Sequence, residues 1–225
     1  MDNDDLVSIV MPMYNSSSYV AEAIESVLGQ TYSRWELFIV DDCSTDNSVS
    51  IATEYARIDS RITVIKLVVN VGAGNARNVG LSSIKGKFVA FLDSDDCWLS
   101  TKLEVQIRHM TLYGAAITHT EYSFMNERGE DSGKSTNVSD VVNLATYLKS
   151  TQIGLSSAVI DKGVIGQFEF PTIRLRQDFL LWFHLLSEGH NSQGISEVLV
   201  KYRIRKGQIS GNKLNAGYRT FKLYI

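Results

Sequence analysis

The chain has 225 residues, 44% apolar and 21% charged, with a net charge of −3 spread over interspersed acidic and basic side chains. A chain of this size buries about 70% of its unfolded surface, so it needs neither disulfides nor a structural metal to fold. The balance excludes bulk nucleic-acid binding, which calls for a basic face, and no apolar stretch reaches the roughly 20 residues that span a bilayer.

Along the first hundred residues two periods alternate. Short apolar runs at 7–11, 35–40, 62–67 and 88–92, rich in β-branched and aromatic residues, suit strands covered on both faces of a parallel sheet. Between the first two, Val20, Ile24, Val27 and Leu28 fall on one helical stripe. A second stripe holds Ile51, Ala52, Tyr55 and Ala56, with Ser44 or Asp46 as its cap, and Gly86 is expected to end the third helix. The β-α-β-α-β-α-β order predicts right-handed crossovers and an α/β, doubly wound, mostly parallel sheet. Beyond Leu99 the pattern loosens. Ser100 is expected to cap a helix running to Tyr113, 115–125 reads as one or two strands, and 126–140 as a polar, turn-rich loop. A further helix spans 176–187 and stops at Gly189. Neither a linker nor an internal repeat interrupts the chain, so one domain over 1–225 is the economical count, about 1–98 forming one half and about 99–225 the other.

Cys43 and Cys97 lie far apart without metal-ligand spacing, which points to a reducing compartment. The acidic N-terminus, Met1 to Asp5, lacks the basic and apolar regions of a signal peptide, so a cytoplasmic location is expected. The tail 213–225 mixes Lys213, Arg219 and Lys222 with Leu214, Tyr218, Phe221, Leu223 and Tyr224. It reads as an amphipathic helix packed on the domain, the simpler reading, or as a peripheral contact with a membrane surface. The sequence stops at Tyr224-Ile225 without a stop signal, which leaves room for a longer natural C-terminus.

In open α/β sheets ligands bind beyond the carboxyl ends of the strands, and a polar cluster follows each of the first four strands. These are Pro12-Met13-Tyr14-Asn15, then Asp41-Asp42-Cys43-Ser44-Thr45-Asp46, then Asn70 to Asn78 with Gly72 and Arg77, and Asp93-Ser94-Asp95-Asp96. Singly each reads as a turn with a helix cap. Together they put several carboxylates and an arginine on one sheet edge, and clustered carboxylates repel unless a cation or donors offset them. Asp93 and Asp95, two apart at a strand end, suit a hard divalent cation, Mn²⁺ or Mg²⁺, with a nucleotide diphosphate supplying further oxygens.

These residues resemble the family 2 glycosyltransferases of the GT-A fold. The likeness is carried by Val7-Ser8-Ile9-Val10-Met11-Pro12-Met13-Tyr14-Asn15, by Ser26-Val27-Leu28-Gly29-Gln30-Thr31-Tyr32 and by Glu36-Leu37-Phe38-Ile39-Val40-Asp41-Asp42. Asn70-Val71-Gly72 with Ala76-Arg77-Asn78 and Gly80, and Phe91-Leu92-Asp93-Ser94-Asp95-Asp96 with Trp98, continue it in order. It is dense over 6–112 and resumes over 176–210. The resemblance implies a metal-dependent, inverting transfer of a sugar from a nucleotide-sugar donor, a UDP-sugar favoured. The acceptor would be a hydroxyl on a lipid-linked sugar in bacterial surface polysaccharide synthesis, at the cytoplasmic face of the membrane. It also implies a small antiparallel portion on the acceptor side and helices on both faces. Pro12, Tyr14 and Asn15 would line the nucleobase and ribose pocket, with Asn70, Gly72 and Ser94 beside them. Asp42, or second to it Asp41, would accept the uracil N3 proton. Arg77 would lie against the donor sugar or diphosphate, Asp93 near ribose and metal, and Asp95 on the metal. Asp178 would be the catalytic base.

Two departures stand out. Gln177 replaces the family's glutamate before Asp178, and Arg205 stands where a histidine often follows a Tyr-Arg pair, here Tyr202-Arg203. Arginine cannot ligate a metal but pairs with diphosphate through its planar fork, so Arg205 or Lys206 is expected to close over the donor. His109, His119, His184 and His190 are too scattered for a metal site, and Cys43 and Cys97 read as spectators. Competing readings fare less well. A dinucleotide enzyme would show G-x-G-x-x-G after the first strand, and a sugar nucleotidyltransferase a basic glycine-rich loop there. A receiver-like module would leave Asp93, Asp95 and Asp178 without a role, and intact Asp95 and Asp178 weigh against a catalytically degenerate domain.

Overall fold

A computed structural model of the chain describes residues 5–205. Lys206 and the tail 213–225 lie outside the described residues.

β1 (Val7–Met13) is buried over its whole length, and β2 (Trp35–Asp41) nearly so. β3 (Ile62–Lys66) pairs with β2, and β4 (Phe88–Phe91) with β1, all in parallel. Burial on both faces explains the continuous apolar runs. The side chains still alternate: Val7, Ile9, Met11 and Met13 face one core, and Val10 faces the other.

On the first face lie α1 (Val20–Leu28), α2 (Ser48–Ile58) and α4 (Lys102–Tyr113). In α1, Val20, Ile24 and Val27 are buried on the predicted stripe, each contributing about 1.5–3 kcal/mol by leaving water. On the second face lie α3 (Ala73–Leu81), α5 (Leu144–Lys149) and α7 (Gln177–Ser187). α3 sits close to the sheet because residue 80 is glycine: a Cβ there would meet Val10 Cγ1 at 2.5 Å.

The second half adds β5 (Cys97–Trp98), β6 (Ile117–Met125), β7 (Asp131–Ser135), β8 (Val141–Val142), β9 (Val159–Asp161) and β10 (Ser192–Arg203), with a short helix α6 (Lys162–Ile165). The sheet order is β3-β2-β1-β4-β9-β6-β10-β5, with β7 on β6 and β8 on β10. The pairings give β1 to β4, β6 and β10 one direction, while β5, β7, β8 and β9 oppose it. The sheet is thus mostly parallel, with its antiparallel strands in the second half. Among the described residues no helix is long and apolar enough to cross a membrane.

Several expected boundaries shift. α3 ends at Leu81, capped by Ser82, and not at Gly86. Gly86 instead marks a close backbone approach, where a Cβ would fall 2.6 Å from Leu6 O and 2.7 Å from Ser8 N. Thr101, not Ser100, precedes α4, and the Ser100 carbonyl accepts the Thr31 N–H at 2.8 Å. Asn47, after Ser44 and Asp46, is the residue that precedes α2, and Asp46 still accepts the Ser48 N–H at 3.0 Å. Arg176 lies outside α7 in a left-handed conformation at φ 60°. The loop expected over 126–140 contains β7, an exposed strand without a single apolar side chain that pairs antiparallel with β6.

Candidate active site

The four polar clusters meet at the carboxyl edge of β1, β2 and β4. Pro12 is tolerated inside β1 because β4 ends at Phe91, opposite Val10, leaving Pro12 with a strand partner on one side only. Past β1 the chain turns: Tyr14 is half exposed, and Asn15 takes a positive φ of 46°. That turn is sewn to the loop after β2. Asn15 N–H donates to Ser44 Oγ at 2.9 Å, and Thr45 N–H to Asn15 Oδ1 at 2.8 Å. Ser16 N–H donates to Ser48 Oγ at 2.7 Å, and the Ser16 and Ser94 hydroxyls lie 2.8 Å apart. The two loops and the Asp93-Ser94-Asp95 turn therefore form one connected rim.

Asp42 is buried, and its carboxylate accepts two backbone N–H groups, from Val71 at 2.7 Å and Gly72 at 2.9 Å. Asn70 Nδ2 donates to the Asp42 carbonyl at 3.0 Å. Gly72 is there for its backbone: φ is 88°, a region glycine enters without strain. Asp42 thus anchors the loop that starts α3. Asp41, also buried, accepts the Ser44 N–H alone among the described residues, at 3.2 and 3.4 Å.

Arg77 projects from α3 and is buried, with Nη2 paired to Asp93 Oδ1 and its guanidinium carbon 5.3 Å from the Phe170 ring centroid. Asp95 is nearly buried; its carboxyl is raised above the usual carboxylate range, first by burial and then by the charge of Asp93, with Arg205 and Arg203 opposing. Asp96 is wholly buried and raised further, again chiefly by burial. It accepts Ser156 Oγ at 2.6 Å and the Arg203 N–H at 3.0 Å. These braces had no sequence signal beyond Arg203's place after Tyr202. Arg203 is itself buried: Nε donates to the Asp95 carbonyl at 2.8 Å and Nη2 pairs with Glu22 on α1. Arg205, just past β10, places Nε 2.8 Å from Asp95 Oδ2.

Asp178 lies in the first turn of α7 and is exposed. The preceding residue docks that turn on the site: Gln177 packs where a Cβ on Gly74 would meet its Cγ at 3.1 Å. With its carboxamide turned to satisfy both neighbours, Gln177 accepts from Arg77 Nη1 and donates to the Arg174 carbonyl, each at 3.3 Å. A glutamate would accept from Arg77 but could not donate to that carbonyl, a local reason for glutamine. Segment 170–178 is further held by Asn78, which exchanges two hydrogen bonds with the Phe170 backbone, at 2.8 and 2.7 Å.

Among the described residues no group of three or more histidine, cysteine, aspartate or glutamate side chains could hold a metal. Asp93 and Asp95 would be a partial set: two hard carboxylates, Asp95 raised by burial and then by the charge of Asp93, suited to Mn²⁺ or Mg²⁺ when phosphate and water complete the shell. Cys97 is buried, and chiefly burial pushes its thiol up to about 12, which keeps it protonated.

The family model for "Glycosyl transferase family 2" matches residues 8–159. The chain is 41% identical over 219 residues to the putative teichuronic acid biosynthesis glycosyltransferase TuaG of Bacillus subtilis, covering 97% of this chain and 87% of that one. It is 36% identical over 212 residues to WfgD of Escherichia coli, named as a UDP-Glc:alpha-D-GlcNAc-diphosphoundecaprenol beta-1,3-glucosyltransferase, covering 94% and 82%. Among solved structures, S. aureus TarS 1-349 in complex with UDP-GlcNAc superposes with a TM-score of 0.75 at 23% identity, over 90% of this chain and 60% of that one. That likeness shows the shared GT-A fold. The chain belongs to glycosyl transferase family 2 and is a glycosyltransferase.

Proposed function

We propose that the protein carries out an inverting, divalent-metal-dependent transfer of a sugar from a UDP-sugar to a hydroxyl of a lipid-linked sugar. The setting is synthesis of a bacterial surface polysaccharide, at the cytoplasmic face of the membrane. The observation that carries this reading is the convergence, on one sheet edge, of the Arg77–Asp93 pair, Asp95 and the docked first turn of α7 with Asp178. The names of TuaG and WfgD support the pathway, and WfgD's supports the donor and the lipid diphosphate acceptor.

In this reading the nucleobase and ribose lie over Pro12, Tyr14 and Asn15, and the Asp42-anchored loop with Asn70 and Gly72 closes one side. Each Asp42 oxygen keeps a lone pair beyond the backbone N–H it accepts, so the uracil N3–H has an acceptor there, with Asp41 as the second candidate. Asp93 and Asp95, spaced by Ser94, would hold Mn²⁺ or Mg²⁺ beside the diphosphate. A bound divalent ion offsets the negative charge that gathers on the diphosphate as it leaves. Arg77 stays neutralised by Asp93 and fixes that carboxylate; Arg205 is the cation that meets the diphosphate. Asp178, exposed in the first turn of α7, takes the hydroxyl proton while the oxygen attacks the anomeric carbon opposite the diphosphate. A single displacement needs only this one base, because the leaving group departs as a stabilised anion.

Calorimetry with UDP, UDP-glucose, UDP-galactose, UDP-N-acetylglucosamine and GDP-mannose, with and without Mn²⁺, tests the donor site. Metal-dependent binding of the uridine series, abolished in Asp95→Ala, is expected. Asp178→Asn should keep that binding and lose transfer by about 10²–10⁴-fold. Donor binding lost in Asp178→Asn, or transfer retained, would remove Asp178 from the role of base.

A further inference from the structure

Asp93 and Asp95 each already have a guanidinium partner. Arg77 is paired with Asp93. Arg205 lies 2.8 Å from Asp95, and its guanidinium carbon is 5.6 Å from the Tyr19 ring centroid. The Arg203 guanidinium lies 5.0 Å from the same ring. The roles of the two arginines on Asp95 differ. Arg203 is buried and grips the Asp95 main chain through its carbonyl, so the loop keeps its place whatever Arg205 does. Arg205 holds only the carboxylate. Its side chain is one-third exposed, and its Nε–H is not aligned on the carboxylate as a hydrogen bond. The Nε itself is buried against the buried Asp95 carboxylate, so the misaligned contact leaves a buried guanidinium N–H without a hydrogen bond among the described residues, and a partner that supplies one displaces it.

We propose that Arg205 is a built-in counter-cation for Asp95 that excludes a divalent metal until a nucleoside diphosphate arrives. The inference rests on the reading that Asp93 and Asp95 hold the metal beside the donor. Two carboxylates facing two guanidiniums form a set with no net charge. A lone Mn²⁺ must therefore displace Arg205 and remain beside it, at a cost in repulsion. A diphosphate changes the exchange. Its oxygens match the planar guanidinium fork, so Arg205 turns from Asp95 to the diphosphate and frees Asp95 Oδ2. Metal and nucleotide then bind with positive coupling, and by thermodynamic reciprocity each raises the affinity of the other by one and the same factor.

The test is Mn²⁺ binding to the full chain, followed by the electron paramagnetic resonance signal of free Mn²⁺, with and without saturating UDP. Wild type, Arg205→Ala, Arg205→Gln and Asp95→Asn are compared, with circular dichroism confirming the fold. Wild type should bind Mn²⁺ weakly alone and far more tightly with UDP. Both Arg205 variants should bind Mn²⁺ alone about 10-fold more tightly than wild type, and the enhancement by UDP should shrink, within the roughly 5–150-fold range of site couplings. Asp95→Asn should bind it in neither condition. Unchanged Mn²⁺ affinity in both Arg205 variants, with UDP-dependent uptake intact in wild type, would overturn the counter-cation role and leave the metal site standing. Failure of wild type to take up Mn²⁺ even with UDP would bring down the metal-site reading, and the inference with it.

Discussion

Asp41 and Asp42 are adjacent, of one residue type and both buried, yet the structure gives them unequal work, and exchanging each for asparagine separates them. Asp42 uses both oxygens on the Val71 and Gly72 N–H groups, at 2.7 and 2.9 Å. Asparagine keeps one acceptor and turns an NH₂ group toward the other N–H, leaving a buried donor unpaired and removing the charge from both bonds. An unpaired buried donor costs about 1–3 kcal/mol, and a charge-assisted bond exceeds a neutral one by roughly 1 kcal/mol, so Asp42→Asn should lose about 2–4 kcal/mol. For a chain of this size that lowers Tm by about 5–15 °C. Asp41 accepts one weak bond, from Ser44 at 3.2 and 3.4 Å, which an asparagine oxygen can still receive, so Asp41→Asn should cost less than about 1 kcal/mol. Thermal unfolding measures both, and UDP calorimetry on the folded variants shows which carboxylate reads the base. If Asp42→Asn melts within a degree or two of wild type, or if Asp41→Asn proves the weaker protein, the anchoring role assigned to Asp42 is wrong.

His119 is fully buried, bonded through Nδ1 to Ser192 Oγ at 2.8 Å, and burial pushes its pKa down from 6.5 to about 4. The unfolded chain takes up this proton below pH 6.5 while the native state does not, so stability falls as pH drops from 6.5 toward 4. About 2 kcal/mol should be gone by pH 5. Urea unfolding at pH 7 and pH 5 should show that loss in wild type and not in His119→Asn; an equal loss in both would assign it elsewhere. Gly80→Ala sets a helix-propensity gain of about 1 kcal/mol against the 2.5 Å approach to Val10 Cγ1, in a core where overpacking costs about 1–3 kcal/mol. Val10 is wholly buried and stiff at χ1, so the clash should win. The double variant Val10→Ala with Gly80→Ala should show a favourable coupling in a double-mutant cycle, and additive costs would show that α3 does not press on β1 at this point.

How far the sequence carried the fold follows from where the free energy lies. β1, β2 and β4 are buried on both faces, so hydrophobicity alone marks them. The stripe of α1 is likewise written in Val20, Ile24 and Val27. β7 left no such mark: Asp131, Ser132, Gly133, Lys134 and Ser135 are all exposed, and the strand exists because β6 offers it hydrogen-bond partners. Gly86 misled for a related reason. Glycine ends helices when φ must turn positive, but here it answers a backbone contact with Leu6 and Ser8, nearly eighty residues away along the chain, that no local pattern encodes.

The site divides along the same line. Asp42, Arg77, Asp93 and Asp95 were legible as candidates because each stands in a polar cluster just past a strand end, whereas Asp178 came from the family resemblance alone, and the fold brings the strand-end set to one rim. What holds them in place was not legible, because a brace needs only a donor at the right distance and many residue types supply one. Ser156 reaches Asp96 and the Asp93 N–H across some sixty positions, and Tyr19 sits under two arginines that lie at the far end of the described chain. Gln177 and Arg205 fall between these cases. As departures from a family pattern both looked like losses, a carboxylate and a metal ligand gone. In place, Gln177 ties Arg77 to the Arg174 carbonyl, and Arg205 supplies the positive charge that a buried carboxylate beside another requires. Both changes reduce acidity or add positive charge on the same rim. They are consistent with a site whose charges are balanced before the donor and metal enter, which is the property the Mn²⁺ titration measures.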